Sequence, residues 1–117
     1  MRYLLLCCFE DKKWLSLPES QRDSIMDRYG KWVQELKKNG QLLSGAKLNA
    51  VASAVTLRER NGESLVTDGP FAETKEQLGG YHLIECQDRN EAIAIARRIP
   101  TLAAGGVVEV RPVEWME

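Results

Sequence analysis

The sequence predicts an α+β fold, a single antiparallel sheet with two helices on one of its faces. Three observations lead there. Short apolar runs of strand character flank two stretches of helical periodicity. Asn61-Gly62, the strongest short hairpin signal in the chain, separates two of the strand candidates. The length of 117 residues favours one domain, spanning 1–117, with one core of moderate size.

Each element has its own warrant. Arg2 to Phe9 alternates with apolar residues on both faces, Tyr3, Leu5, Cys7 and Phe9 against Leu4, Leu6 and Cys8, as a central strand covered on both sides would. Ser16-Leu17-Pro18-Glu19 has the form of a capping box, and proline is tolerated in a first turn. Behind it Ile25, Tyr29, Trp32 and Leu36 make one apolar stripe, and Lys37, Lys38, Asn39 and Gly40 close the helix. Strand candidates follow at Gln41 to Leu48, Ala52 to Arg60 and Glu63 to Thr67. One helical turn is expected around Thr74 to Leu78, then a strand from Tyr81 to Gln87.

Asp88 with Glu91 three residues on predicts the start of a second helix, whose buried stripe is Ala92, Ile95, Ala96 and Ile99 and which Pro100 stops. Val107 to Val113 is the last strand, and Pro112 predicts that it lies at an edge. The order resembles a ferredoxin-like split βαβ arrangement with an added hairpin.

Composition narrows the function classes. Net charge is −1, so nothing favours a phosphate backbone and no nucleic-acid partner is expected. No apolar run reaches the roughly 20 residues of a membrane helix. The opening MRYLLLCCFEDKKW lacks a small-residue cleavage site, so the expected location is the cytoplasm. Three cysteines and one histidine offer no metal-ligand spacing: Cys7 and Cys8 are adjacent and would point to opposite faces of a strand. Neither a metal nor a cofactor is expected.

Two helices cover only one face of the sheet, yet the strands at Tyr3–Phe9, Val51–Leu57 and Tyr81–Cys86 carry apolar side chains on both. Large exposed apolar patches are rare on monomers, so a homodimer packed sheet against sheet is expected.

MRYLLL at the start, LVTDGPFAETKEQLGGYHLIE in the middle and VEVRPV near the end together resemble the DGPF domain family, a YCII-related group of small bacterial proteins. The likeness runs over nearly the whole chain, and its signature is Asp68-Gly69-Pro70-Phe71. The resemblance implies a ferredoxin-like fold assembled as a dimeric α+β barrel. It implies no particular reaction. Because some members of the family it resembles accompany extracytoplasmic-function sigma factors, the resemblance leaves a regulatory role open. Members of the wider group have a His-Asp pair proposed as catalytic; His82 stands where DGPF relatives often carry an aromatic residue, so that role does not carry over to it.

The residues themselves offer paired readings. Asp68, at a strand end before Gly-Pro, is placed to act as a general base or to orient a substrate, or else to cap its own turn through backbone N–H groups. Gly69 before Pro70 is expected to be extended and to allow close approach; Phe71 lines a pocket or plugs the core. Glu73, Lys75 and Glu76 form a solvated face or the polar rim of a pocket. His82 shares a strand face with Ile84 and Cys86, as a hydrogen-bonded core residue or as a general base. Tyr81 offers a phenol to the same cleft, or packs.

The expected function is a small-molecule site near 68–71 at a dimer cleft, with Asp68 and His82 as candidate catalytic groups and Asp68, Gly69, Pro70, Phe71, Glu73, Lys75 and Tyr81 as candidate ligand contacts. The alternatives are a non-catalytic ligand-binding or regulatory module and a purely structural dimer.

Overall fold

The structure is a computed structural model that describes residues 1–72 and 74–115. Its strands are β1 (Arg2–Phe9), β2 (Leu42–Lys47), β3 (Val55–Arg60), β4 (Glu63–Asp68), β5 (Gln77–Glu85) and β6 (Val107–Pro112). Its helices are α1 (Asp11–Ser16), α2 (Glu19–Lys38) and α3 (Arg89–Arg97).

β2, β5, β1 and β6 form one antiparallel sheet in that order. β5 lies between β1 and β2, and β1 lies between β5 and β6, so the two βαβ units are each split and interleaved. β1 is therefore central, which accounts for its two apolar faces, and β6 with its Pro112 is an edge.

One face of this sheet carries the core. Tyr3, Leu5, Ile84 and Cys86 pack there against Trp32 and Leu36 of α2 and Ala92, Ile95 and Ala96 of α3, with Ile99 beyond the helix end. The stripe from Ile25 to Leu36 lies on the sheet-facing side of α2 because its spacing of three and four matches the helical repeat. Trp32 Nε1–H donates to Ile95 O at 3.0 Å, tying α2 to α3 through a satisfied buried donor. The Asp88 cap forms: its Oδ1 accepts from Glu91 N–H at 2.9 Å.

Several local expectations are corrected. The Ser16–Glu19 capping box does not form. The short helix α1 takes the preceding segment, Ser16 Oγ donates back to Lys13 O at 2.7 Å, and Pro18 stands at the α2 N-cap with no side-chain bond. No helical turn exists at Thr74–Leu78. β5 begins at Gln77, opposite Phe9, and the ladder claims that backbone, while Gln77 Nε2 donates to Ala72 O and Thr74 O. The strand expected from Ala52 starts only at Val55, after a 3-10 turn over Val51–Ser53. Phe71 is no core plug, at 76% exposed.

The single sheet expected from the sequence is corrected: β3 and β4 do not join the four-stranded sheet but pair only with each other in a separate two-stranded sheet, turned at Asn61 and Gly62 with φ of 53° and 78°. The hairpin projects as an arm. The radius of gyration is 16.1 Å, against about 13 Å for a compact chain of this length. Leu57 and Val66, opposite one another in the ladder, are 69% and 66% exposed.

Candidate functional site

The arm ends in the 68–71 turn. Strand alternation puts Val55, Leu57, Val66 and Asp68 on one face of the hairpin, since Val55 pairs with Asp68 and Leu57 with Val66. Asp68 thus stands at the end of an apolar row. The turn after it is held by other groups: Gly69 N–H donates to Ala54 O at 2.6 Å and Thr56 Oγ1–H donates to Gly69 O at 2.8 Å. Gly69 has φ of 93°, not the extended conformation expected before proline, and that left-handed geometry suits glycine. Arg58 Nη2 donates to Phe71 O at 3.3 Å. Among the described residues the Asp68 carboxylate is exposed and takes part in no hydrogen bond or ion pair, so it does not cap the turn.

The remaining candidates are dispersed. Pro70 is half-buried; Lys75 is exposed. Glu73 lies outside the described residues. Tyr81 lies opposite Leu6 and Ala46, on the sheet face without helices, whereas His82 lies opposite Leu5 and Gly45 on the helix-covered face. Adjacent strand residues point apart, so Tyr81 and His82 do not share one cleft of this chain. No hydrogen bond joins Asp68 to His82 among the described residues.

His82 instead belongs to a cluster that periodicity did not reveal. His82 is only 8% exposed. Tyr29 hydroxyl and His82 Nε2 are 2.5 Å apart, and Cys7 Sγ is 3.4 Å from the same hydroxyl. Trp32 meets the imidazole edge-on, with ring centroids 4.9 Å apart. Burial lowers the pKa of His82, so the imidazole is neutral at physiological pH. Burial likewise raises Cys7 and Tyr29, which keep their protons. His82 Nδ1 is buried and has no partner among the described residues. Gly45 is tight against it: a Cβ there would stand 2.8 Å from Nδ1. Tyr29 read in the sequence as one more member of the apolar stripe. Gly45 carried the better signal, since a glycine inside a strand often marks a close approach.

Two shallow concavities open elsewhere, one of about 210 Å³ lined by Arg28, Lys31, Trp32, Glu35, Arg98 and Pro100, the other of about 290 Å³ around Met1, Arg2, Glu85 and Trp115. Neither is lined by Asp68, Tyr29 or His82. Among the described residues no three His, Cys, Asp or Glu side chains gather as metal ligands. Nor is any helix long and apolar enough to cross a membrane.

With this geometry in hand, the chain belongs to the YCII-related family, whose domain matches residues 1–117. A protein of Rhizobium meliloti (strain 1021), described as uncharacterised, is 35% identical over 113 residues, covering 96% of this chain and 91% of its own. Among solved structures the chain is similar to 5-chloro-2-hydroxyhydroquinone dehydrochlorinase from Burkholderia phenoliruptrix AC1100, in complex with 2,5-dihydroxybenzoquinone. The TM-score is 0.58 with 15% identity, over 97% of this chain and 94% of that one, a likeness of fold.

Proposed function

We propose that the protein is a homodimer with a small-molecule site bordered by the 68–71 turn, where a second copy covers the apolar face of the arm. The observation that carries this reading is the position of Asp68: an unbonded carboxylate at the end of the row Val55, Leu57 and Val66. A two-stranded hairpin is at best marginally stable alone in water, so an arm with exposed apolar residues needs a partner surface. The helix-free sheet face, with Leu4, Leu6, Tyr81 and Leu83, is a second apolar surface of the same chain. A two-fold dimer satisfies both at once, because each copy offers the surface the other lacks. Such an arrangement accords with the dimeric α+β barrel that the DGPF resemblance implies.

Covering that face brings Asp68 into a less polar setting, where a carboxylate orients a hydroxyl or amine of a ligand or removes its proton. The structural relative that carries a small hydroxylated quinone supports a small-molecule ligand of this kind. Binding without turnover is the second reading. It is favoured by the lack of a second titratable group beside Asp68 among the described residues that could return a proton to the ligand.

Light scattering coupled to size exclusion tests the assembly. A dimer is expected for the wild type and a monomer for Val66→Asp; a monomeric wild type at micromolar concentration overturns the reading. Thermal-shift screening with small hydroxylated aromatics, 2,5-dihydroxybenzoquinone among them, tests the site. Stabilisation lost in Asp68→Asn is the expected result, and consumption of the compound separates catalysis from binding.

A further inference from the structure

The helix-free sheet face is apolar at its centre but carries charge on β6. Arg111 pairs with Leu4 and Glu109 with Leu6, and residues directly opposite one another share a face, so both charges stand on the open side with Tyr81 and Leu83. Val108 and Val110 alternate to the other side and pack on the core. Among the described residues the Arg111 side chain forms no hydrogen bond and no ion pair, not even with Glu109 two residues away. A guanidinium covered by a second copy is costly to desolvate unless an anion meets it.

Asp68 and Arg111 belong to opposite ends of the molecule. β2 ends at Lys47, opposite Gly80, and β5 begins at Gln77, opposite Phe9, so both connections to the arm leave the sheet at its Phe9 end. Arg111 lies opposite Leu4, about 16 Å along β1 from Phe9 at the ordinary strand rise. A two-fold axis that runs across the strands, between two facing open sheets, exchanges these ends. It carries the arm root of one copy to the Arg111 end of the other.

The two surfaces also complement one another in charge. The arm offers Val55, Leu57 and Val66, ending in an unbonded carboxylate, and the open sheet offers Leu4, Leu6 and Leu83, beside an unbonded guanidinium.

We propose, on the strength of the dimer reading above, that the ligand site is shared between two copies: Asp68 of one and Arg111 of the other hold between them a small hydroxylated compound that carries an ionised oxygen. The planar guanidinium takes the ionised oxygen, and the carboxylate accepts from a neutral hydroxyl of the same molecule. Neither residue alone selects such a compound, since a lone carboxylate repels its charge and a lone guanidinium, which only donates, gives its hydroxyl proton no acceptor.

Titration calorimetry with 2,5-dihydroxybenzoate as the probe and hydroquinone as its uncharged counterpart tests the ligand class. The wild type is expected to prefer the charged probe by about tenfold or more, as a charge-assisted bond allows. Arg111→Gln is expected to abolish that preference, and Asp68→Asn to weaken both compounds. Equal affinity of the wild type for the two, no saturable binding of the probe, or a preference that survives Arg111→Gln overturns the assignment.

Mixing tests the sharing. When Asp68→Asn and Arg111→Gln chains are refolded together, each mixed dimer has one site with both residues intact, so about a quarter of the wild-type sites should return at wild-type affinity. Two residues of one site within a single chain would give no recovery. A wild-type dimer whose mixture recovers nothing overturns the shared site and leaves the dimer standing; a monomeric wild type overturns both.

Discussion

Gly45 and His82 face one another across the β2–β5 ladder, and the space a Gly45 side chain would fill is taken by the imidazole. The virtual Cβ is 2.8 Å from Nδ1 and 3.1 Å from the backbone oxygen of Tyr81. Because one of these neighbours is backbone, β2 itself must give way. Gly45→Ala is expected to cost about 1–3 kcal/mol, as overpacking does. Gly30→Ala is the counter-case: nothing lies within 4 Å on the exposed side of α2, and removing a helical glycine is expected to stabilise by about 0.5–1 kcal/mol. Urea unfolding of the two variants checks the opposite signs.

Tyr29→Phe removes the one partner of a buried ring nitrogen. The expected cost is about 1–3 kcal/mol. His82→Phe in the same background removes the orphaned group too, so the double variant should lose less than the sum of the singles. A double-mutant cycle from denaturation midpoints measures the difference, and strict additivity would contradict the bond.

The lowered pKa of His82 sets a direction for stability with pH. In the folded protein the ring titrates below its ordinary 6.5, because burial disfavours the charge. Between the two values the unfolded chain binds a proton that the folded one does not, so acid favours unfolding. Stability is expected to fall as pH drops through 6.5, until the folded group titrates as well. The titratable groups in contact with the ring are Tyr29 and, through it, Cys7, and neither ionises in that range. Unfolding midpoints across the acid range in wild type and His82→Phe test this: the variant should lose that part of the slope.

The arm predicts a separation of stability from function. Asp68 bears no structural bond among the described residues, so Asp68→Asn should change stability by less than about 0.5 kcal/mol. Thr56→Val removes the hydroxyl that holds Gly69 O, and should cost about 1 kcal/mol. Thermal unfolding of both variants, with the oligomer state recorded, decides. A large loss in Asp68→Asn would show that the carboxylate has a structural role in the assembled protein.

What could be read from the chain alone was whatever repeats locally. The α2 stripe, the Asp88 cap, the Asn61-Gly62 turn and the two apolar faces of β1 depend on spacings of two, three or four residues, and those spacings follow from the geometry of one strand or one helix. The special character of the 68–71 stretch was also legible, since Asp-Gly-Pro-Phe stands out by composition. Its weights were not: a turn held by Thr56 and Ala54 leaves Asp68 free, and those partners lie on β3 and in the residue just before it.

The sequence by itself determined the two long helices and most of the strands, and that one sheet face would lack a cover, because side-chain alternation and helical periodicity are properties of neighbours along the chain; it did not show α1 or the extended backbone at Gln77. Only the tertiary structure decided that Tyr29 meets His82 across 53 residues and that Gly45 comes to lie against the same ring. Those contacts depend on strand order and on where α2 crosses the sheet. These are set by the collective packing of the core, and no local spacing encodes them.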